Sequence, residues 1–200
     1  MILAEVPLNG AKALTVGLPS NLTAWTGADA MTHAIEAFLV PEFHPLCDGL
    51  ALEGLNLITT WLPKAIHEPE NLRARGGMLV GSCLAGVAFL KGLGMVHAIS
   101  HMVGAEFNTQ HGLTNAIILP VVLRFNLPGM EKKVERMANT MGLEDTSIDC
   151  FTSEVNNILA QLVDFQMLFE MDGKNINNYI VYDDDNVWPL ELSSGMERFI

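Results

Sequence analysis

His97, His101 and His111 lie in one stretch, GLGMVHAISHMVGAEFNTQHGLTNAIILP, running from Gly92 to Pro120. His97 and His101 are four residues apart, which puts them on one face of a helix. His111 follows the polar break Asn108-Thr109-Gln110 and precedes Gly112, a residue that lets backbone come close. In TGADAMTHAIEA, Asp29 and His33 repeat the four-residue spacing. Neutral imidazoles with one carboxylate, brought together from different elements, suit a divalent ion such as iron or zinc. Three histidines and one aspartate would still leave a position for substrate. Spacing alone does not separate His101 from the other candidates.

Several familiar motifs are missing. No HExxH is present, which excludes the zinc-peptidase arrangement. A ferritin-like di-iron site uses Glu-x-x-His pairs, and the nearest approach here is the reversed His33-x-x-Glu36. There is no GxSxG elbow and no P-loop. Gly92-Leu93-Gly94 lacks a third glycine and a preceding strand, so it does not read as a dinucleotide loop.

The elements that would hold these residues read as helices. From Thr26, with Thr23 or Thr26 as cap, Met31, Ala34, Ile35 and Phe38 follow helical apolar spacing up to Pro41. A second helix starts near Pro45 and is weakened or kinked at Trp61-Leu62-Pro63. A third runs from Asn71 to Leu90, and Gly92 and Gly94 break it. A fourth carries Met95 to Phe107, and a fifth starts at His111 and meets Pro120. Lys132 to Met141 forms a short amphipathic helix stopped by Gly142, and another begins at Ser147. Ala13 to Leu18 is a candidate short strand, and Tyr179 to Tyr182 is another in the acidic tail. The Asp183-Asp184-Asp185 run reads as a solvated loop, since no EF-hand spacing surrounds it. The expected fold class is all-α, a helical bundle, with residues 1–22 as a lead-in, 23–171 as the helical metal-binding domain and 172–200 as a divergent acidic tail.

Composition narrows the function classes. Half of the 200 residues are hydrophobic and 17% are charged, enough for a sizeable core in one domain. A net charge of −12 without a basic stripe argues against a nucleic-acid partner. Cys47, Cys83 and Cys150 are odd in number and lack CxxC spacing, as expected of reduced core or near-core thiols in a cytoplasmic protein. The start, MILAEVPLNGAKA, does not have the layout of a signal peptide. Gly76 to Leu90 is uncharged but only fifteen residues long, against about 20 for a bilayer span. Its stripe of Gly77, Gly81 and Ala85 is expected to serve close packing in a soluble core, with no membrane partner.

The segments GADAMTHAIEA and NLRARGGMLVGSCLAGVAFLKGLGMVHAISHMVGAEFNTQHGLTNAIILPVVLRFN resemble the C-terminal helical domain of iron-containing (group III) alcohol dehydrogenases, within the dehydroquinate synthase-like fold. The resemblance runs from about Leu14 to Leu162, after which the pattern departs. It implies that Asp29, His33, His97 and His111 bind the metal, Fe²⁺ first and Zn²⁺ as the alternative. It also implies that His101 lies beside the nicotinamide, as both a catalytic proton relay and a cofactor contact. Glycerol dehydrogenases of the family use fewer metal ligands and maleylacetate reductases can dispense with metal. The four filled positions here fit the iron-type group.

The activity implied is Lewis-acid activation of a small alcohol, hydride transfer from its carbon to NAD(P)⁺, and proton loss through solvent or His101. Phe89, Met95 and Phe107 are candidates to wall the pocket, with core packing the favoured role. The family's NAD(P)-binding α/β domain has no counterpart in this sequence, so the resemblance implies a truncated dehydrogenase. Such a chain is expected to bind metal, turn over alcohol or aldehyde poorly, and pair with a homo-oligomeric partner or the missing α/β domain. Two other readings remain: a metal-binding or oligomerisation module served by a separate cofactor domain, and an inactive fragment.

Overall fold

The computed structural model describes residues 15–162 and the strand segments 180–183 and 186–189. It divides into two units, residues 1–163 and 164–200. The described part of the first is helical: α1 (Ser20–Leu39), α2 (Pro45–His67), α3 (Leu72–Ala88), α4 (Met95–Phe107), α5 (His111–Asn126), α6 (Glu131–Thr140) and α7 (Ile148–Leu162). A single 3₁₀ turn, Phe89–Lys91, follows α3. In the second unit, β1 (Ile180–Asp183) and β2 (Asn186–Pro189) pair antiparallel, with Val181 opposite Trp188 and Tyr182 opposite Val187. The strand expected at Tyr179–Tyr182 is thus found one residue later, and Asp184 and Asp185 lie outside the described residues.

Helix α1 is the central element, in contact with α2, α3, α5, α6 and α7. Its alanines, Ala24, Ala28, Ala34 and Ala37, are buried between larger side chains, and they let neighbouring helices approach from several sides. Met31, Ile35 and Phe38 complete the buried surface and share the core with Leu55, Ile58, Leu62, Leu119, Leu123 and Phe151. Truncating one of these large side chains to alanine removes contacts worth about 2–5 kcal/mol. The Lys133 ammonium of α6 closes the C-terminus of α1 by donating to the carbonyls of Phe38 (3.0 Å), Leu39 (2.9 Å) and Val40 (2.8 Å). With no basic residue of its own in the last turn, α1 takes its terminal cation from a helix some ninety residues on.

Several details differ from the sequence reading. Helix α1 starts at Ser20, so Thr23 and Thr26 lie inside its first two turns and do not cap it. The Thr26 hydroxyl donates back to the Leu22 carbonyl at 2.7 Å. Of the candidate strand at Ala13–Leu18, residues 15–17 form a turn closed by a bond from Leu18 N–H to Thr15 C=O. The buried Arg75 of α3 anchors this entry, donating to Thr23 Oγ1 at 2.8 Å and to the Pro69 carbonyl at 2.9 Å. Helices α2 and α5 run on through Pro63 and Pro120, because packing on both sides outweighs one missing backbone bond each.

Helix α3 with its 3₁₀ turn, Leu72–Lys91, is 20 residues long and apolar enough by length and composition to cross a membrane. It is longer than the uncharged stretch because Asn71 caps it one turn earlier, accepting from Ala74 N–H at 3.0 Å. Its small residues serve close packing: a Cβ on Gly54 of α2 would lie 3.0 Å from the Ala85 backbone nitrogen. Of the cysteines, Cys47 is buried, Cys150 is half-buried and Cys83 is exposed, so Cys83 is not the core thiol expected.

Candidate metal centre

Helices α1, α4 and α5 bring the polar residues together. Asp29 and His33 face outward from one stripe of α1, His97 enters from the first turn of α4, and His111 is the first residue of α5. The left-handed Asn108 (φ 52°) ends α4, and Gln110 then caps α5 by accepting from Leu113 N–H at 2.6 Å. This short connection, the polar break of the sequence, reverses the chain so that the two helices pack on each other. Gly112 brings α5 against the backbone of α1. A Cβ there would lie 2.2 Å from the Trp25 carbonyl oxygen.

Asp29 Oδ1 lies 3.3 Å from His111 Nε2, 3.4 Å from His97 Nε2 and 3.6 Å from His33 Nε2. The four ligand atoms are all within 4.8 Å of one another. Four ligands about 2.1 Å from one tetrahedral ion are separated by about 3.4 Å, so the carboxylate stands at coordinating distance from each imidazole's partner position. The Asn115 amide nitrogen donates to Asp29 Oδ1 at 2.6 Å and faces the Nε2 atoms of His97 (3.2 Å) and His111 (3.1 Å). Its own Oδ1 is buried without a partner. Lone pairs therefore converge here in excess of the N–H groups that meet them, and a cation suits this set of donors.

His97 is 2% exposed, whereas the side chains of Asp29, His33 and His111 keep 23–38% exposure, so the cluster is open on one side. Burial disfavours a charged His97, but hydrogen bonds to Asp29 and Glu36 outweigh it and raise its pKa to about 9. Burial pushes His33 and His111 below the ordinary histidine value. Burial would raise Asp29, but His97, His33 and Asn115 together hold it below the usual carboxylate range.

His101 is exposed at the rim. Its ring stacks on His111 at 5.1 Å and lies 5.9 Å from His97. Phe89 is 38% exposed and meets the His33 ring edge-on at 5.1 Å, so it walls the cluster and is not core. Met95 (38%) and Phe107 (63%) are also outside the core.

Two residues were not assigned to this site from the sequence: Asn115 was not singled out, and Glu36 figured only in the reversed His33-x-x-Glu36 pair. Glu36 accepts at 2.6 Å from His97 Nδ1, and Asn115 reaches three of the four clustered residues. Both carried a signal. Asn115 is four residues after His111, the spacing of the other two pairs, and Glu36 continues the Asp29–His33 stripe by one more turn.

The profile described as "Fe-containing alcohol dehydrogenase family, C-terminal" matches residues 23–177. The chain belongs to this family. The match passes Leu162, so the family pattern continues further than the sequence motifs suggested. The "Probable alcohol dehydrogenase EutG" of Escherichia coli (strain K12) is 38% identical over 151 residues, 75% of this chain and 38% of that protein. The "1,3-propanediol dehydrogenase" of Klebsiella pneumoniae is 38% identical over 148 residues, 74% of this chain and 38% of that protein. Among solved structures, a 1,3-propanediol oxidoreductase superposes with a TM-score of 0.69 at 36% identity, covering 76% of this chain and 40% of that one. An alcohol dehydrogenase from Oenococcus oeni gives a TM-score of 0.73 at 28% identity, covering 76% and 41%. The chain thus spans about two fifths of the length of these relatives, and the region it matches is the all-helical C-terminal part.

Proposed function

We propose that this chain is the metal-binding helical portion of an NAD(P)-linked alcohol dehydrogenase acting on a small alcohol or aldehyde. The observation that carries this reading is the convergence of Asp29, His33, His97 and His111, one carboxylate and three imidazoles from three helices, on a single point. These four residues would hold the ion, Fe²⁺ in keeping with the family's description and Zn²⁺ as the alternative for the same donors. A divalent cation there supplies Lewis-acid polarisation of an alcohol or carbonyl oxygen.

The chain's own residues do the rest. Asp29 contributes negative charge, and the buried His97 fixes the depth of the site. Phe89 shields His33 from solvent on one side. His101, exposed and stacked on His111, is placed to carry a proton between the site and solvent. Binding of the dinucleotide requires an α/β region outside the matched helices, supplied by a covalently linked or separate partner. Exposed Leu90 (80%), Phe43 (92%) and Leu46 (68%) support an apolar contact of this kind. Free cysteines, one of them exposed, support a cytoplasmic location.

The test is spectroscopic and enzymatic. Cobalt-substituted chain should change its visible absorption on addition of a short diol or aldehyde, and should turn over NAD(P)⁺ slowly or not at all when alone. An unchanged spectrum with no reaction after addition of a cofactor-binding domain would refute the assignment. Rapid turnover by the chain alone would refute the need for that domain.

A further inference from the structure

Glu36 is buried, 4% exposed, and its carboxylate accepts three hydrogen bonds from the start of α4. Its Oε1 accepts from Val96 N–H at 2.7 Å. Its Oε2 accepts from His97 Nδ1 at 2.6 Å and from His97 N–H at 3.4 Å. The N-cap of α4 is Gly94, which has no side chain to meet the first free N–H groups. Glu36, sixty residues earlier and on another helix, meets them instead. Gly94 is what admits it: a Cβ there would lie 2.5 Å from Glu36 Oε1.

One carboxylate therefore does two things. It fixes where α4 begins, and in the neutral ring that a metal requires it fixes which nitrogen of His97 carries the proton. An imidazole that donates from Nδ1 presents a lone pair at Nε2, and Nε2 is the atom that faces Asp29 and Asn115. We propose that Glu36 is a positioning residue of the metal centre, holding His97 so that Nε2 is the ligand atom. The inference rests on the metal-binding reading above. Acidic residues behind a ligating histidine commonly raise its basicity and set its orientation, and their loss weakens metal binding about 10–100-fold.

Glutamine is the informative replacement, because it keeps the shape and loses one acceptor. If its oxygen serves Val96 N–H, its NH₂ faces Nδ1 and favours the ring form with a proton on Nε2, which cannot ligate. If the amide is flipped, the NH₂ meets Val96 N–H and the start of α4 loses its cap. Either way His97 and the helix start compete for a single oxygen.

The experiment uses the full chain with Zn²⁺ as the probe. Zinc affinity is measured by chelator competition in the parent and in Glu36→Gln, with helix content followed by circular dichroism. Histidine ring protons are read by ¹⁵N-edited NMR of the zinc-loaded parent, with His97 assigned by its loss in His97→Asn. The expected result is a downfield, slowly exchanging proton on His97 Nδ1, and about 10–100-fold weaker zinc binding in Glu36→Gln at unchanged helix content. Equal zinc affinity in the two chains overturns the proposal while leaving the metal centre standing. A His97 bound through Nδ1 does the same, and this parent measurement decides the matter even if Glu36→Gln does not fold. A parent that binds no zinc overturns the metal-centre reading itself and the role of Glu36 with it.

Discussion

Replacing Gly112 by alanine tests whether the approach of α5 to α1 sets the site. The new Cβ would lie 2.2 Å from the Trp25 carbonyl oxygen, 2.7 Å from its carbon and 3.3 Å from Asp29 Cβ. Carbon atoms in ordinary contact need about 3.5 Å, so the shortfall is about 1 Å, and the obstacle is backbone that no rotamer change removes. Two effects oppose each other. Alanine is favoured over glycine in an open helix by about 1 kcal/mol, whereas overpacking a filled interface costs about 1–3 kcal/mol. Because the contact is with the core helix itself, the steric term wins, and Gly112→Ala is expected to lose about 1–2 kcal/mol.

The start of α5 must then withdraw, carrying His111 away from Asp29, now 3.3 Å distant. A displacement near 1 Å at a constrained site is worth about 100-fold in what the site does, so zinc affinity should fall by one to two orders of magnitude. Gly86, on α3 with nothing within 4 Å of its Cβ position, is the control, and Gly86→Ala should be neutral or slightly stabilising. Urea denaturation and chelator competition on both variants give the comparison. A Gly112→Ala chain as stable as the parent with undiminished zinc affinity would refute the reasoning.

Other perturbations follow from the same geometry. Lys133→Met removes three hydrogen bonds to the carbonyls of Phe38, Leu39 and Val40 at the end of α1 and should cost about 1–3 kcal/mol in urea denaturation. Arg75→Met removes bonds to Thr23 Oγ1 and the Pro69 carbonyl in a buried setting, with an expected loss of about 2–4 kcal/mol by the same assay. In the metal-free chain, the folded-state pKa of His97 is raised to about 9, above its ordinary 6.5. Its contribution, about 3 kcal/mol, is therefore fully present below pH 6.5 and disappears as pH rises through 9. The difference in stability between parent and His97→Asn should shrink over that window, and a difference that grows with pH would contradict it.

The sequence made α4 and α5 legible because glycine, asparagine and proline punctuate them, and their apolar spacing is regular. Asp29, His33, His97, His101 and His111 stood out for a different reason, as metal-type side chains in apolar helices, two pairs of them at one-turn spacing; setting His101 apart from the other four came from the family resemblance and not from spacing. The start of α1 was not, because Thr23 and Thr26 look like caps but lie inside the helix, Thr26 bonding back to Leu22 and Thr23 meeting Leu18 and Arg75, while Pro19 is the residue that precedes the first turn. Glu36 was hidden by its neighbours. In HAIEAF it continues the Asp29–His33 stripe but reads as one charge on a helix, and the approach of Gly94 from a distant part of the chain is what shows that it faces inward. Lys133 and Arg75 are missed for a related reason, since the partners of Lys133 are backbone carbonyls and those of Arg75 are a carbonyl and a hydroxyl some fifty residues away, which leave no mark in the local pattern of side chains.

Metal stoichiometry at the four-residue cluster decides most. Equilibrium dialysis of the purified chain against Zn²⁺ or Co²⁺, followed by elemental analysis, should find one tightly held ion per chain. Cobalt should show the absorption of a four-coordinate nitrogen and oxygen site, and both signals should be lost in Asp29→Asn/His97→Asn. No bound ion, or an ion held equally well by that double variant, would contradict the assignment of Asp29, His33, His97 and His111 as the metal centre.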